Sequence, residues 1–264
     1  MPFKEKVINR CPVCGEVIEK EIQLPLISDN TGSISKIVVC SCRCKREEID
    51  KIENRFAIEE EKREVEKLRN ASLLDAKSKN IFFKNCMVNN ENRRVISIAN
   101  RYVKNFDMMY EKSQGLLLWG GVGTGKSFLA AAIANELIQR RQSVIMTSFV
   151  RLLENGINTE DYSIIGNLTK AKLLIVDDLG AERGTDYALE KVYDIVDCRY
   201  RSGRPVIFTT NLTMKEMKEC TDIRYTRIYD RIFEMCYPVK FDGLSWRKRE
   251  AADRFDSAKK LLEE

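Results

Sequence analysis

Residues 120–127 read Gly120, Gly121, Val122, Gly123, Thr124, Gly125, Lys126 and Ser127. Glycines at the first and sixth places, followed by Lys-Ser, have the spacing of a phosphate-binding loop. The flanks complete the pattern. Leu116–Trp119 is an apolar run of strand length, and Phe128–Arg140 reads as a helix. A strand, a glycine-rich turn and a helix in succession aim several backbone N–H groups, and the positive end of a helix dipole, at one point. Lys126 is then placed to reach the β- and γ-phosphates of a nucleotide, and the Ser127 hydroxyl to bind Mg²⁺.

Further apolar runs alternate with helical patterns. Strand candidates are Leu116–Trp119, Val144–Thr147, Leu173–Asp177, Val206–Thr209 and Val239–Phe241. Such alternation implies an α/β fold with a parallel sheet flanked by helices. Leu173–Val176 is apolar throughout, as a strand buried on both faces must be. Asp177 and Asp178 then emerge at its carboxyl end, where ligands sit in open α/β sheets. Asp177 suits Mg²⁺, directly or through water, and Asp178 suits the attacking water. Val206–Thr210 ends similarly in Asn211, which can position that water from a strand between the two signatures.

The nine cysteines are unevenly spread. Cys11 and Cys14, followed by Gly15, form a knuckle that grips one metal ion. Cys40, Cys42 and Cys44 lie further on, with Val17-Ile18 and Ile37–Val39 between the clusters as a short hairpin. So small a module cannot hold itself together by apolar burial, and a structural Zn²⁺ would supply the missing stability. With no histidine in the chain, the expected ligands are Cys11, Cys14, Cys42 and Cys44, with Cys40 in reserve. A redox pair is the rival reading, but no thioredoxin-like strand and helix follow Cys14. Cys86, Cys198, Cys220 and Cys236 are assigned no role.

Three segments follow: a zinc module over 1–44, a charged helical linker over 45–80, and the nucleotide-binding domain over 81–264. The linker carries ten basic and ten acidic residues without proline or glycine. Ile49, Ile52 and Phe56, then Val65 and Leu68, give it a thin apolar stripe without a sustained heptad. The net charge of +5 permits nucleic-acid contact without requiring it. No apolar run reaches the ~18 residues of a membrane span, and the N-terminus carries no apolar signal region. A cytoplasmic protein is expected. Arg224, Arg227 and Arg231 share a late helix, with Arg227 and Arg231 on one face.

Taken together, the pattern over about residues 81–250 resembles the DnaC/IstB-type AAA+ ATPases, which include bacterial and phage helicase loaders. The resemblance rests on Gly115–Ser127, Ala132–Asn135, Leu173–Arg183 with its Asp-Asp-Leu-Gly core, Arg199-Tyr200, Thr209–Thr213 and Tyr225–Ile232. It implies an AAA+ P-loop domain that hydrolyses ATP with Mg²⁺ and joins other copies of itself when ATP-bound. It implies that Gly120–Ser127 and Asp177 bind the nucleotide, with Asp178 and Asn211 catalytic. It further implies a trans-acting arginine at Arg231, with Arg227 beside it, and a late arginine, Arg247, near the nucleotide. A replicative DNA helicase and single-stranded DNA are the implied partners. A transposition accessory ATPase acting on DNA is the alternative; members of that kind usually begin with a helical DNA-binding part, so the cysteine module favours the loader. A nucleotide-binding scaffold that barely hydrolyses is a third reading. No Asn-Lys-x-Asp motif suggests a GTPase, and no Leu-Ser-Gly-Gly signature suggests a transporter.

Overall fold

A computed structural model describes residues 5–25, 33–154, 166, 168–181, 185–243 and 245–263. Glu182 and Arg183, the end of one quoted motif, lie outside the described residues. The chain divides into two compact units, Met1–Arg63 and Glu64–Glu264.

The first unit holds β1 (Glu5–Arg10), β2 (Val17–Pro25) and β3 (Ser33–Val39), paired antiparallel in the order β1-β2-β3. The hairpin expected from Val17 and Ile37–Val39 is thus β2–β3, with β1 added on the far side of β2. Helix α1 (Arg43–Ala71) begins immediately after the second cysteine cluster. Cys42 is the only buried side chain among the described residues of this unit. Val7, Ile8, Ile34, Ile37 and Val39 are all exposed. Those described residues therefore form no apolar core that could define the unit.

The continuous helix read into the charged segment ends at Ala71, and its stripe is divided between the two units. Ile49, Ile52 and Phe56 are exposed, whereas Val65 and Leu68 pack against the core of the second unit. The second unit therefore takes in the last turns of α1, before Ile81. Leu73 turns the chain with φ 58, and Leu74 is buried in the core.

Among the described residues, eight further helices and five strands follow: α2 (Arg93–Lys104), α3 (Phe106–Glu111), β4 (Gly115–Gly120), α4 (Lys126–Gln139), β5 (Val144–Ser148), α5 (Phe149–Glu154), β6 (Leu173–Leu179), α6 (Asp186–Arg201), β7 (Val206–Thr210), α7 (Met214–Lys218), α8 (Ile223–Met235), β8 (Cys236–Phe241) and α9 (Trp246–Glu263). The five strands pair in parallel in the order β5-β6-β7-β4-β8. Alternate residues feed opposite faces. Leu116, Leu118, Leu173 and Ile175 join one core with α2, α3 and α4; Leu117, Leu174 and Val176 join the other with α5, α6 and α8. Strand order places β7 between β4 and β6, so Asn211 follows the strand that separates the two signatures. Pro238 falls on β8, an edge strand, where its missing N–H costs no ladder bond.

One helix is surrounded. In α4, Ala130, Ala131, Ala132 and Ala134 are completely buried, and their small side chains admit close neighbours. Asn135 is the polar exception at 1% exposure. Its Nδ2 donates to the carbonyls of Ser78 (2.7 Å), Ile81 (2.8 Å) and Ala131 (3.1 Å). The amide thus pins the segment that leads into α2 against the helix of the phosphate loop. Replacing it takes a donor from the part-buried Ile81 carbonyl, at ~1–3 kcal/mol, while the Ser78 carbonyl keeps the Ile81 N–H. Asn135→Ala should lower the melting temperature by roughly 5 °C, at a few degrees per kcal/mol for a domain of this size. Calorimetry of the parent and the variant checks this.

Candidate functional site

The loop between β4 and α4 is built by backbone conformations that side chains rarely allow. Gly125 caps α4 with φ 97. Gly123 has φ 77, and a Cβ there would lie 2.2 Å from the Ser245 hydroxyl. Glycine is therefore required at both positions. The helix begins at Lys126, two residues before the apolar run that announces it. The Trp246 N–H donates to the Gly123 carbonyl at 2.9 Å, so the start of α9 is tied across the loop.

Lys126 is buried, at 4% exposure. Its ammonium donates to the carbonyls of Gly120 (2.9 Å) and Gly121 (2.8 Å) and to Asn211 Oδ1 (2.8 Å). Burial pulls its pKa below the usual lysine range, opposed by the nearby carboxylates of Asp178 and Asp177. Lys126 and Asn211, given separate tasks from the sequence, are thus in direct contact.

The acidic pair sits on an irregularity. Leu174, Ile175 and Val176 pair with Val206, Ile207 and Phe208, but Leu179 pairs with Thr210. Two residues, Asp177 and Asp178, therefore stand opposite Thr209 alone. The strand continues through them to Leu179, beyond the Asp177 end read from the sequence. Asp178 takes φ 55, a left-handed conformation that Asp tolerates better than most residues. The Thr209 hydroxyl donates to Asp177 Oδ1 at 2.6 Å and accepts from the Asp178 N–H at 2.9 Å. One hydroxyl thus holds the Asp177 carboxylate and the Asp178 backbone. Burial, then the charge of Asp177, raises the pKa of Asp178.

Lys126, Asp178 and Asn211 line a cavity of about 390 Å³, whose lining includes neither Asp177 nor Thr209. Val122–Leu129, Asp178, Asn211, Trp246 and Arg247 line it, together with Asn85 and Asn92. Cys86, Met87, Val95, Ile96 and Phe241 give it a further, apolar lining. This apolar lining was missed in the sequence, because its residues carry no motif and belong to a segment read as the start of the domain. A lining that mixes charged and apolar side chains suits a ligand with a charged and an apolar part. Cys86, assigned no role from sequence, is one of the cavity's walls.

Neither Arg227 nor Arg231 lines this cavity. Arg227 is exposed. Arg231 pairs with Asp197 on α6 at 2.7 Å and lies over the rings of Tyr193 (4.7 Å) and Tyr200 (5.6 Å). Arg224 is bound to Asp222 and Asp186.

In the first unit, the sulfurs of Cys11, Cys14 and Cys42 lie within 4.8 Å of one another. The knuckle is closed by the Gly15 N–H on the Cys11 carbonyl (2.9 Å) and the Cys11 N–H on the Glu16 carbonyl (2.8 Å). Cys44, an expected ligand in the first turn of α1, is not part of this three-sulfur cluster. The Glu16 N–H draws the Cys14 pKa down to about 6. Glu16 also accepts from the Arg43 N–H at 2.6 Å, joining the knuckle to the start of α1. Cys40 is not part of the three-sulfur cluster; its N–H continues the β2–β3 ladder to Ile18. Soft sulfur donors converging without histidine match what Zn²⁺ accepts.

A family model described as IstB-like ATP binding protein matches residues 47–253, and the chain belongs to that family. Its domain is an AAA+ ATPase. The chain is 32% identical over 146 residues to the replicative helicase loader DnaI of Bacillus subtilis (strain 168), a match spanning 50% of this chain and 47% of that protein. It is 31% identical over 185 residues to the replicative helicase loader DnaC of Escherichia coli (strain K12), spanning 67% and 73%. A crystal structure of DnaI superposes with a TM-score of 0.54 at 27% identity, covering 66% of this chain and 94% of that one. The AAA+ α/β fold expected from the sequence is thus shown.

Thr209 offers a test of the site that its motif residues do not. Thr209→Val keeps the shape and removes the hydroxyl. It should leave ATP binding within about threefold of the parent but slow hydrolysis at least tenfold, roughly 1.4 kcal/mol or more in the barrier. Lys126→Ala should instead abolish binding, read by titration with a fluorescent ATP analogue.

Proposed function

We propose that this member of the IstB-like family is an ATP-driven loader that places a replicative helicase on single-stranded DNA. The observation that carries the reading is the junction of Lys126, Asn211, Thr209 and the Asp177–Asp178 pair at the carboxyl ends of three adjacent strands. Phosphate, metal and water positions converge there, as hydrolysis of a nucleoside triphosphate requires. Two relatives named replicative helicase loaders support the substrate of the larger task.

Within the site, Lys126 exchanges its two carbonyl partners for phosphate oxygens. Gly123 and Gly125 keep the loop free of side chains that would block those oxygens. Ser127 and Asp177 hold Mg²⁺, which supplies positive charge against the phosphates when bound. Thr209 keeps Asp177 aimed at that position, and Asp178 orients and deprotonates the attacking water. Its raised pKa makes it a better base than an ordinary carboxylate. Asn211, released from Lys126, positions the water.

Charge that develops on the γ-phosphate is met by Arg231 of a neighbouring copy. Asp197 and the two tyrosines hold its guanidinium in place, so little motion is lost when it engages. An oligomer is therefore the active form. The first unit holds one Zn²⁺ through Cys11, Cys14, Cys42 and Cys44, and presents its exposed apolar strands to the helicase. Cytoplasmic DNA is the place of action. No helix among the described residues is long and apolar enough to cross a membrane.

Two experiments test this reading. Arg231→Ala and Arg231→Lys should bind ATP but lose most hydrolysis, and mixing either with Asp178→Asn should restore part of it. Hydrolysis at the parental rate by Arg231→Ala would move the role to Arg227. Full-length protein should capture a replicative helicase, and Cys11→Ser with Cys14→Ser should lose that capture along with about one bound zinc per chain, the stoichiometry of one four-thiolate site. Capture that survives without zinc would remove the first unit from the interface. A protein that binds DNA but ignores the helicase would favour a transposition accessory.

A further inference from the structure

The end of the sheet opposite the nucleotide has a distinct charge pattern. The segments that lead into β5, β6, β7 and β4 are residues 140–143, 170–172, 201–204 and 112–114. Together they carry seven Lys or Arg and no Asp or Glu. Strand order β5-β6-β7-β4 sets the four segments side by side in that sequence. Three inter-strand steps of ~4.8 Å make a row roughly 14 Å long.

The segments are laced into one ledge. The Lys172 N–H donates to the Ser143 hydroxyl (3.0 Å), joining the first to the second. Arg204 donates to the carbonyls of Thr169 (2.8 Å) and Lys170, joining the second to the third. The Ser113 hydroxyl donates to the Gly203 carbonyl (2.5 Å), joining the third to the fourth. Beneath them Arg199, at 1% exposure, donates to the carbonyls of Leu168, Thr169, Ala171, Lys172 and Pro205. Arg199 has no carboxylate partner among the described residues, and its burial lowers its pKa to about 9. A charge buried at that cost holds the ledge in a fixed shape.

Some of the cations are engaged locally. Arg140 donates to the Val103 carbonyl, Arg141 faces Glu64 and Arg201 faces Asp197. Lys112, Lys170 and Lys172 are exposed and enter no ion pair among the described residues. Lys172 also lies 5.8 Å from the centre of the half-buried Tyr110 ring.

We propose that this ledge binds the phosphate backbone of single-stranded nucleic acid, through Lys112, Lys170 and Lys172. The inference rests on the DNA-binding part of the proposed function. A straight row of cations fits a linear polyanion better than a point anion. The four segments contain no aromatic residue, Leu or Ile that could anchor in a membrane.

The test is anisotropy of a labelled oligo-dT of ~20 nucleotides with full-length protein, titrated at several salt concentrations. Lys112→Glu with Lys170→Glu and Lys172→Glu should weaken binding at least tenfold. Three lost phosphate contacts at ~0.7 each should lower the slope of log K against log salt by about 2. The milder Lys→Gln triple should show the same direction, and both should bind ATP like the parent, which confirms folding. Lys215→Glu with Lys218→Glu, on α7, is the control and should change little. Triple variants that match the parent at every salt would overturn the ledge while leaving DNA binding intact. A duplex competitor as effective as the single strand would overturn the single-strand assignment. A parent that does not bind oligo-dT would overturn DNA binding itself, and the ledge with it.

Discussion

A parallel sheet covered on both faces has nowhere to put polar chemistry except its two ends. That constraint organises the second unit. Leu116–Leu118, Leu173–Val176 and Val206–Phe208 are almost wholly buried, so they admit no charge. The carboxyl ends gather Lys126, Asp177, Asp178 and Asn211. The amino ends gather lysines and arginines. A polar side chain within the strands is tolerated only where it has partners, as at Thr209 and Thr210. Thr210 donates to the Leu179 carbonyl at 2.7 Å, closing the ladder just past the extra residue. The strand slip at Asp177–Asp178 is therefore held by two threonine hydroxyls, and it sets where the acidic pair points.

The first unit faces the opposite difficulty. It has three short strands and exposed apolar residues, with little to bury. Its best-defined point is the cluster of Cys11, Cys14 and Cys42. A metal there would join the knuckle before β2 to the start of α1, as Glu16 already does through Arg43 and, at 3.5 Å, Arg46. Exposed ion pairs of this kind are worth at most about 1 kcal/mol, too little to define a fold. Coordination of a metal by thiolates stabilises a small module several-fold more than that. The unit's exposed strands can then remain available to a partner.

What was legible in the sequence follows the same physics. The phosphate loop, the Asp-Asp strand end and Asn211 were readable because the chemistry demands particular residue types at fixed spacing. The five sheet strands were readable because burial on both faces forces continuous apolar runs. The boundaries were less so: β6 extends to Leu179 because a bulge hides behind two polar residues, and α1 stops at Ala71 because the chain turns at the exposed Leu73, with φ 58, and buries Leu74 in the core. The role of Thr209 was hidden, since threonine at a strand end is ordinary until its partners are known. The apolar lining of the cavity was hidden too. Cys86, Met87 and Ile96 are gathered by tertiary packing, not by spacing. Arg199-Tyr200 was quoted only as a family likeness, and its physical purpose, a buried guanidinium serving five carbonyls, needed coordinates.

Lys126 shows how the site avoids an intolerable state. A buried ammonium without partners would cost several kcal/mol, because desolvation of a charge is not offset by packing. Gly120, Gly121 and Asn211 supply three acceptors at 2.8–2.9 Å in its present position. Phosphate binding therefore does not create interactions from nothing; it exchanges one satisfied set for another. Net affinity is the difference between charge-assisted bonds to phosphate and those given up. The exchange has a mechanical consequence. In the proposed mechanism Asn211 loses its contact with the loop when Lys126 turns to phosphate, so nucleotide arrival would free its amide through the one hydrogen bond that now joins the residue after β7 to the phosphate loop.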